Sequence, residues 1–138
     1  MSMVIPAQRV KVRIIDIDYS DFSIAAMSRT INIGDAIPAN HQLLPGSVEC
    51  TTVPAGGGTV SYDIQFGDGV DSSGLCTAED HLGGGVDVYQ AYGAYITTGI
   101  GFENAARQLT ATATVDGAHL LNDATQGAWV FRYAYIQF

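Results

Sequence analysis

Few residues in this chain have the types and spacings that chemistry requires. The three histidines, His41, His81 and His119, form no HExxH pair or similar ligand spacing. The two cysteines, Cys50 and Cys76, are too few for a disulfide scaffold, and their separation fits no zinc pattern. We therefore expect solvated or turn histidines, reduced and at least partly buried cysteines, and neither a metal nor another cofactor.

Nucleophilic catalysis also lacks a template. The segment Ser72–Cys76 does not have the GxSxG spacing of a nucleophile elbow. Cys76 and His81 are close in sequence, but a Cys/His pair also needs an orienting group and a cleft. We expect no enzymatic activity and assign no catalytic residue.

An acidic, glycine-rich segment over residues 68–80 allows two interpretations. Asp68, Asp71 and Asp80 supply carboxylates, and calcium requires six to eight converging oxygen ligands. The EF-hand spacing is missing, and Asp and Gly are also the ordinary residues of turns. The missing spacing favours turns, and calcium binding stays as the alternative.

Three tyrosines, Tyr89, Tyr92 and Tyr95, follow one another at three-residue spacing, close to Phe102. Aromatic clusters of this kind occur in hydrophobic cores, in protein interfaces and in sugar-binding platforms. The spacing does not decide among these three interpretations.

Charge is scarce and unevenly distributed along the chain. The formal net charge is −8, and such a surface repels phosphate, which disfavours nucleic-acid binding. Four of the six cations, Arg9, Lys11, Arg13 and Arg29, lie in the first 29 residues, and the next is Arg107. The acidic middle is either a solvated surface or the contact for the basic first strand of another copy.

The N-terminal segment has neither the basic region nor the apolar run of a signal peptide, so synthesis in a cytoplasm is expected. No stretch approaches 18 apolar residues, so no membrane helix is expected. Residues 1–9 are predicted to form an arm that either frays or docks on a partner, and residues 10–138 a single domain. The candidate protein interface comprises Met3, Val4, Ile5, Pro6, Arg9, Lys11, Arg13, Tyr89, Tyr92 and Tyr95.

Alternation of apolar and polar residues predicts strands along most of the chain. The first, Gln8–Ile15, is expected to be half-buried, with a basic outer face. Its two opposed sets are Val10, Val12 and Ile14 against Arg9, Lys11 and Arg13. The other predicted strands are Arg29–Gly34, Ser47–Val53, Thr59–Phe66, Val86–Gln90, Ala94–Thr98, Gln108–Asp116 and Ala128–Phe138.

Helix signals are weak, with one turn predicted in Asp21–Met27 and another in Asn104–Arg107. Residues 70–85 are predicted to form a polar loop. The last strand is apolar on both faces, which is typical of a central or interface-lining strand. The pattern predicts an all-β fold, a β-sandwich of about eight strands with a short N-terminal arm.

The order of these segments resembles a group of small tailed-bacteriophage virion proteins that includes capsid decoration (cement) proteins. The resemblance covers residues 10–138, and its segments are Ile14–Phe22, Arg29–Gly34, Ile37–Asn40, Tyr62–Gly69, Leu109–Asp116 and Leu120–Gly127. It implies a jelly-roll-like sandwich, often a homotrimer, bound to the major capsid protein on the outer capsid surface. It supplies no catalytic residues.

Two other functions remain open at this stage. Similar sandwiches also occur in phage tails and head fibres. A carbohydrate-binding module would use Tyr89, Tyr92, Tyr95 or Trp129 as exposed aromatic platforms.

Overall fold

The computed structural model describes residues 9–84, 88–89, 93–98 and 102–138, without the side chains of residues 83, 84, 88 and 89. Its strands are β1 Val10–Asp18, β2 Ser28–Asn32, β3 His41–Leu43, β4 Ser47–Ala55, β5 Tyr62–Asp68, β6 Cys76–Asp80, β7 Val88–Tyr89, β8 Phe102–Glu103, β9 Leu109–Val115 and β10 Gln126–Gln137. The helical turns are α1 Tyr19–Phe22, α2 His81–Gly84 and α3 Ala94–Thr97, with a 3₁₀ turn at Leu121–Asp123. No described helix is long and apolar enough to cross a membrane.

The strands form two antiparallel sheets, one of six strands and one of four. The long strand β10 lies at the centre of the larger sheet. It pairs with β1 on one side and with both β4 and β3 on the other, while β7 extends β4 and β8 extends β3. The smaller sheet has the order β2-β9-β5-β6. This architecture confirms the all-β sandwich.

Aromatic side chains of β10 form the layer between the two sheets. Trp129 stacks on Tyr62 of β5 with ring centroids 5.2 Å apart, and Phe131 meets Phe66 edge-on at the same centroid distance. Tyr133 also meets Phe66 edge-on. All five are at most 2% exposed. β10 therefore takes the central position, one of the two that were predicted for a strand apolar on both faces.

The smaller sheet contributes both small and large side chains to this core. Tyr62 and Ile64 of β5 are fully buried, as are Ala111 and Ala113 of β9. Small residues on β9 leave room for the rings of β10, as close packing of an interior requires. The apolar set predicted for Gln108–Asp116 is buried, but Thr110 and Thr112 of the opposite set are buried as well. Val60, inside the predicted strand Thr59–Phe66, precedes β5 and is 67% exposed.

The orientation predicted for β1 was wrong. Its even-numbered residues, Val10, Val12 and Ile14, are 47%, 63% and 62% exposed, while Ile15 and Ile17 pack against the core. The reason lies in the pairing with β10, because directly paired residues point to the same face of a sheet.

The β1–β10 register aligns the odd-numbered residues of β1 with the buried aromatic residues of β10. Ile15 pairs with Phe131 and Ile17 with Trp129, so the odd set faces inward. Arg13 follows the same face, where its Nη2 donates to the Tyr135 hydroxyl at 3.1 Å. The capped turn α1 then carries the fully buried Phe22 against Trp129.

Three local predictions also differ from the structure. Residues 76–84 form β6 and α2 inside the predicted loop. Ala94–Thr97 is a helical turn, since the N–H groups of Ile96 and Thr97 both donate to the Gly93 carbonyl. Residues 104–107 contain no helix. The ten described strands exceed the expected eight because β3, β6 and β8 form where no strand was predicted, while the predicted strand Ala94–Thr98 does not form.

Candidate protein interface

The outer face of the larger sheet, opposite the core, carries apolar side chains of β1, β10 and β8, with Gln42 of β3 between the last two. Val10 of β1 pairs with Ile136 of β10, Ile136 with Gln42 of β3, and Gln42 with Phe102 of β8. Since paired residues share a face, these side chains lie side by side. We call this surface the outer apolar patch, and it consists of Val10, Val12, Ile14, Phe102, Ala134, Ile136 and Phe138.

Several members of the patch are exposed to an unusual degree for large apolar residues. Phe102 is 54% exposed and Phe138 is 56% exposed, and their rings lie 6.1 Å apart. Val12 and Ile14 extend the patch along β1. Exposed apolar side chains that are contiguous, rather than scattered singly, are typical of protein contact surfaces.

A hollow of about 250 Å³ opens beside the patch, where β10 leaves β3 and begins to pair with β4. It is lined by Val12, Pro45, Gly46, Ser47, Arg132, Tyr133 and Ala134. A side chain at Gly46 would place its Cβ 2.9 Å from the carbonyl oxygen of Arg132, so the chain approaches β10 closely only with glycine there. The surface beside the patch is therefore concave, and a side chain of a partner could insert into it.

Charged groups lie on both sides of the sheet near the patch: Arg132 is on the patch face, paired with Ile14, whereas Lys11 and Arg13 belong to the opposite face. Arg132 Nη1 contacts Glu49 Oε1 at 2.7 Å and closes the side toward β4. Arg9 and Lys11 at the start of β1 are exposed. The guanidinium of Arg13 lies 5.6 Å from the Tyr135 ring centroid. Of the six cations in the chain, four therefore lie on β1, just before it, or on β10.

Those predicted interface residues that the structure describes do not form one surface. Met3, Val4, Ile5, Pro6 and Tyr92 lie outside the described residues, and the side chain of Tyr89 is not described. Arg9, Lys11 and Arg13 lie together at the β1 end of the larger sheet. Tyr95 is only 8% exposed and belongs to the core, as one of the three interpretations of the tyrosines held.

Tyr95 is held in a buried polar cluster with Asp68 and Arg107. Its hydroxyl donates to Asp68 Oδ1 at 2.7 Å, and its burial raises the pKa of that hydroxyl. Arg107 Nη1 lies 3.5 Å from Asp68 Oδ2, and its guanidinium stacks 4.8 Å from the Tyr95 ring centroid. The cluster ties α3 to the end of β5. Sequence reasoning missed it, although Arg107 stands out as the first cation after Arg29.

The acidic residues of the 68–80 segment are engaged in local structure. Asp68 Oδ1 also accepts the backbone N–H groups of Val70 and Asp71, both at 2.9 Å. Asp80 Oδ1 accepts those of Tyr62 and Leu82, both at 3.0 Å. Within the described residues, no group of three or more His, Cys, Asp or Glu side chains is arranged to hold a metal ion.

The histidines are less exposed than expected. His41 is fully buried; its Nδ1 donates to the Pro38 carbonyl at 2.8 Å, and burial lowers its pKa. His81 is 1% exposed and lies edge-on to Trp129. The expectation of solvated or turn histidines was thus wrong for both. His119 does occupy a turn, where its hydrogen bond lowers the pKa of Asp116 to about 2.

The predicted burial of both cysteines is confirmed, and each remains a thiol. Burial raises the pKa of Cys76 to about 12, which disfavours the thiolate at neutral pH. A nucleophilic cysteine needs the opposite shift. The structure therefore gives the Cys76/His81 pair no activated sulfur.

The chain matches no protein-family model and no curated protein sequence. Among solved structures, it is similar to a chain of the cyanophage Pam1 capsid asymmetric unit. That likeness has a TM-score of 0.58 at 14% identity and covers 100% of this chain and 94% of that chain. A chain of the acidic stable capsid of Helicobacter pylori bacteriophage KHP30 gives a TM-score of 0.47 at 14% identity, over 91% and 86% of the two chains. The Pam1 likeness shows a shared fold over the whole length.

Proposed function

We propose that this protein is a non-enzymatic structural component of a phage virion, a decoration (cement) protein that binds the major capsid protein on the outer capsid surface. The observation that carries the proposal is the outer apolar patch, presented on a fold shared with a phage capsid chain. The resemblance of the sequence to tailed-phage virion proteins supports the same role. Synthesis in the host cytoplasm and assembly as a homotrimer belong to this proposal.

The physical properties of the chain suit this role. A net charge of −8 disfavours the DNA-filled interior of a capsid and favours its outer surface. A decoration protein stabilises a shell through many copies of a modest contact, so each copy needs only a limited apolar surface. The two-sheet core, with its interlocked rings, provides a stiff support for that surface.

The carbohydrate-binding alternative has lost part of its basis. Trp129 and Tyr95 are both buried, so neither offers an exposed platform for a sugar ring. Tail and head-fibre locations differ from the capsid only in the partner, and the following experiment discriminates between them.

The test is co-sedimentation of the purified protein with capsids that lack it. Wild-type protein is expected to pellet with capsids at micromolar concentration and not with tails. Phe102→Asp places a charge in the patch and is expected to weaken binding at least about tenfold, as loss of an interface anchor does. Val60→Asp is the matched control, because Val60 is 67% exposed and lies outside the patch.

Each outcome decides a different part of the proposal. If wild-type protein stays in the supernatant while the capsids pellet, the decoration role is contradicted. Equal binding by Phe102→Asp and Val60→Asp would leave that role standing but exclude the patch as the contact. Light scattering of the unbound protein would test the homotrimer.

A further inference from the structure

The outer apolar patch lies where the N-terminal arm joins the folded chain. Val10 is the first residue of β1 and pairs with Ile136, so the chain enters the sheet at the end of β10 that carries Ile136 and Phe138. Phe102 and Phe138 are more than half exposed at this end. The residues that precede Val10 are therefore tethered at the border of the patch.

The composition of the arm suits an apolar surface. Residues 1–8 carry no charged side chain, in a chain whose formal net charge is −8. In an extended segment, successive side chains point to opposite sides, which puts Met3 and Ile5 on one side and Ser2 and Val4 on the other. The side that carries Met3 and Ile5 is apolar, and methionine adapts well to an irregular surface. Such a segment can cover apolar side chains without burying a charge.

The reach of the arm matches the width of the patch. From β1 through β10 and β3 to β8, the outer face spans three strand spacings, about 14 Å at about 4.8 Å each. Proline is suited to a turn, so Pro6 and the two residues after it can reverse the chain. Residues 1–5 then span about 17 Å when extended, at about 3.3 Å each. This places Ile5 over β1 and β10, and Met3 over β3.

The tether favours the patch of the same chain over that of another copy. A short flexible tether keeps the arm at an effective concentration of the order of millimolar around its own patch. At micromolar protein, the patch of another copy is roughly a thousandfold more dilute. The arm therefore meets its own patch first, and its docking there requires no contact between copies.

We infer that the N-terminal arm folds back across the outer apolar patch of its own chain, with Met3 and Ile5 against the sheet, and covers the patch until a partner displaces it. The arm then shields exposed rings such as that of Phe102 from nonspecific contacts in the free protein. Its effect on capsid binding rests on the proposed function, because the arm and the capsid compete for one surface. An occluded site binds its partner with an affinity reduced by the fraction of molecules that are open.

Dye binding tests whether the arm covers the patch in the free protein. Ile5→Asp puts a charge on the side of the arm that faces the sheet, and it is expected to raise the fluorescence of added anilinonaphthalene sulfonate at least about threefold by exposing apolar surface. Ser2→Asp adds the same charge on the opposite side of the arm, and this matched control is expected to stay at the wild-type level. Adding Phe102→Asp to Ile5→Asp is expected to lower the fluorescence again, because the dye then loses its site.

Disulfide formation tests where the arm lies. Gln42 of β3 lies on the outer face within the patch, so Met3→Cys combined with Gln42→Cys brings two thiols together. This pair is expected to form a bond within one chain at least about tenfold faster than Met3→Cys combined with Val60→Cys, at a rate independent of protein concentration. Val60 is 67% exposed and lies outside the patch, and the native Cys50 and Cys76 are buried.

Capsid co-sedimentation tests the competition between arm and capsid. Ile5→Asp is expected to bind capsids about three- to tenfold more tightly than Ser2→Asp, because its patch is open. Weaker capsid binding by Ile5→Asp would overturn the inference, since the arm would then contact the capsid itself. Equal dye fluorescence of the two variants, or disulfide-linked oligomers in place of the bond within one chain, would also overturn it. If no form of the protein binds capsids, the proposed function fails, while the dye and the disulfide still decide whether the arm covers the patch.

Discussion

Strands β1 and β10 are neighbours in one sheet, and the side chains of both alternate between its two faces. The two strands differ in how deeply these side chains are buried. In β10, the set that contains Trp129 and Phe131 is buried and the other set is half-buried. In β1, Ile15 and Ile17 are only half-buried, and the other set is mostly exposed. Among the described strands, β10 has partners on both sides, while β1 has a partner on one side. The comparison shows that strand position, rather than apolar content, decides how much of each face is covered.

The largest change in the free energy of unfolding should come from a substitution in β10. Phe131→Ala removes a fully buried ring that contacts Phe66, and it should lower the free energy of unfolding by about 3–5 kcal/mol. Chemical denaturation followed by the fluorescence of Trp129, the one tryptophan of the chain, measures this. A loss below about 1 kcal/mol would mean that β10 does not lie at the centre of the core.

An intermediate change in stability should come from the protonation of a histidine in β3, the strand that pairs with the end of β10. Burial lowers the pKa of His41 below its ordinary value near 6.5, so the unfolded chain takes up the proton first as pH falls. Stability should therefore decrease from about pH 6.5 downward, by at most about 1.4 kcal/mol per pH unit. Urea titrations between pH 7.5 and 5 measure that slope.

The control for this effect is a comparison of two variants of β3. His41→Asn retains a donor toward the Pro38 carbonyl and should flatten the pH dependence, at some cost in stability at pH 7.5. Gln42→Asn changes the neighbouring residue, which does not titrate, and should leave the slope at its wild-type value. Equal slopes for wild type and His41→Asn would show that His41 is not the group responsible.

The smallest effect should come from the exposed set of β1. Val12→Thr and Ile14→Thr change side chains that are more than 60% exposed, so each should alter monomer stability by less than about 0.5 kcal/mol. Denaturation at a concentration below self-association measures this. A loss above about 1.5 kcal/mol would place these side chains inside the folded chain and remove the contrast with β10.

Much of the fold could be predicted from local patterns. The inward faces of β9 and β10 follow from uninterrupted alternation, since Leu109, Val115 and Phe131 have no apolar competitors of equal size on the opposite faces. The helical turn at Ala94 could not be predicted this way. Its residues resemble a strand locally, and the contacts that hold the turn come from distant residues: the Tyr95 N–H donates to the Gly74 carbonyl and the Tyr95 hydroxyl to Asp68 Oδ1.

The candidate interface was only partly predictable. The cations at the start of β1 were singled out from their position, but Lys11 and Arg13 lie on the face of β1 opposite to the outer apolar patch. Phe102, Ile136 and Phe138 were not assigned to it, because residues from β8 and β10 meet only through the pairing of distant strands. The tyrosine spacing gave no means to separate a buried Tyr95 from an exposed one, since its partner Asp68 lies 27 positions away.

The sequence by itself determined that the chain forms strands, that β10 carries an aromatic face, and that cations cluster at the start of β1. These properties are local, since they depend on side-chain period and on the order of residues. Only the tertiary structure decided which face of β1 is exposed. The two apolar sets of β1 are nearly equal, and the register with β10 directs Ile15 and Ile17 inward and leaves Val12 and Ile14 at the surface.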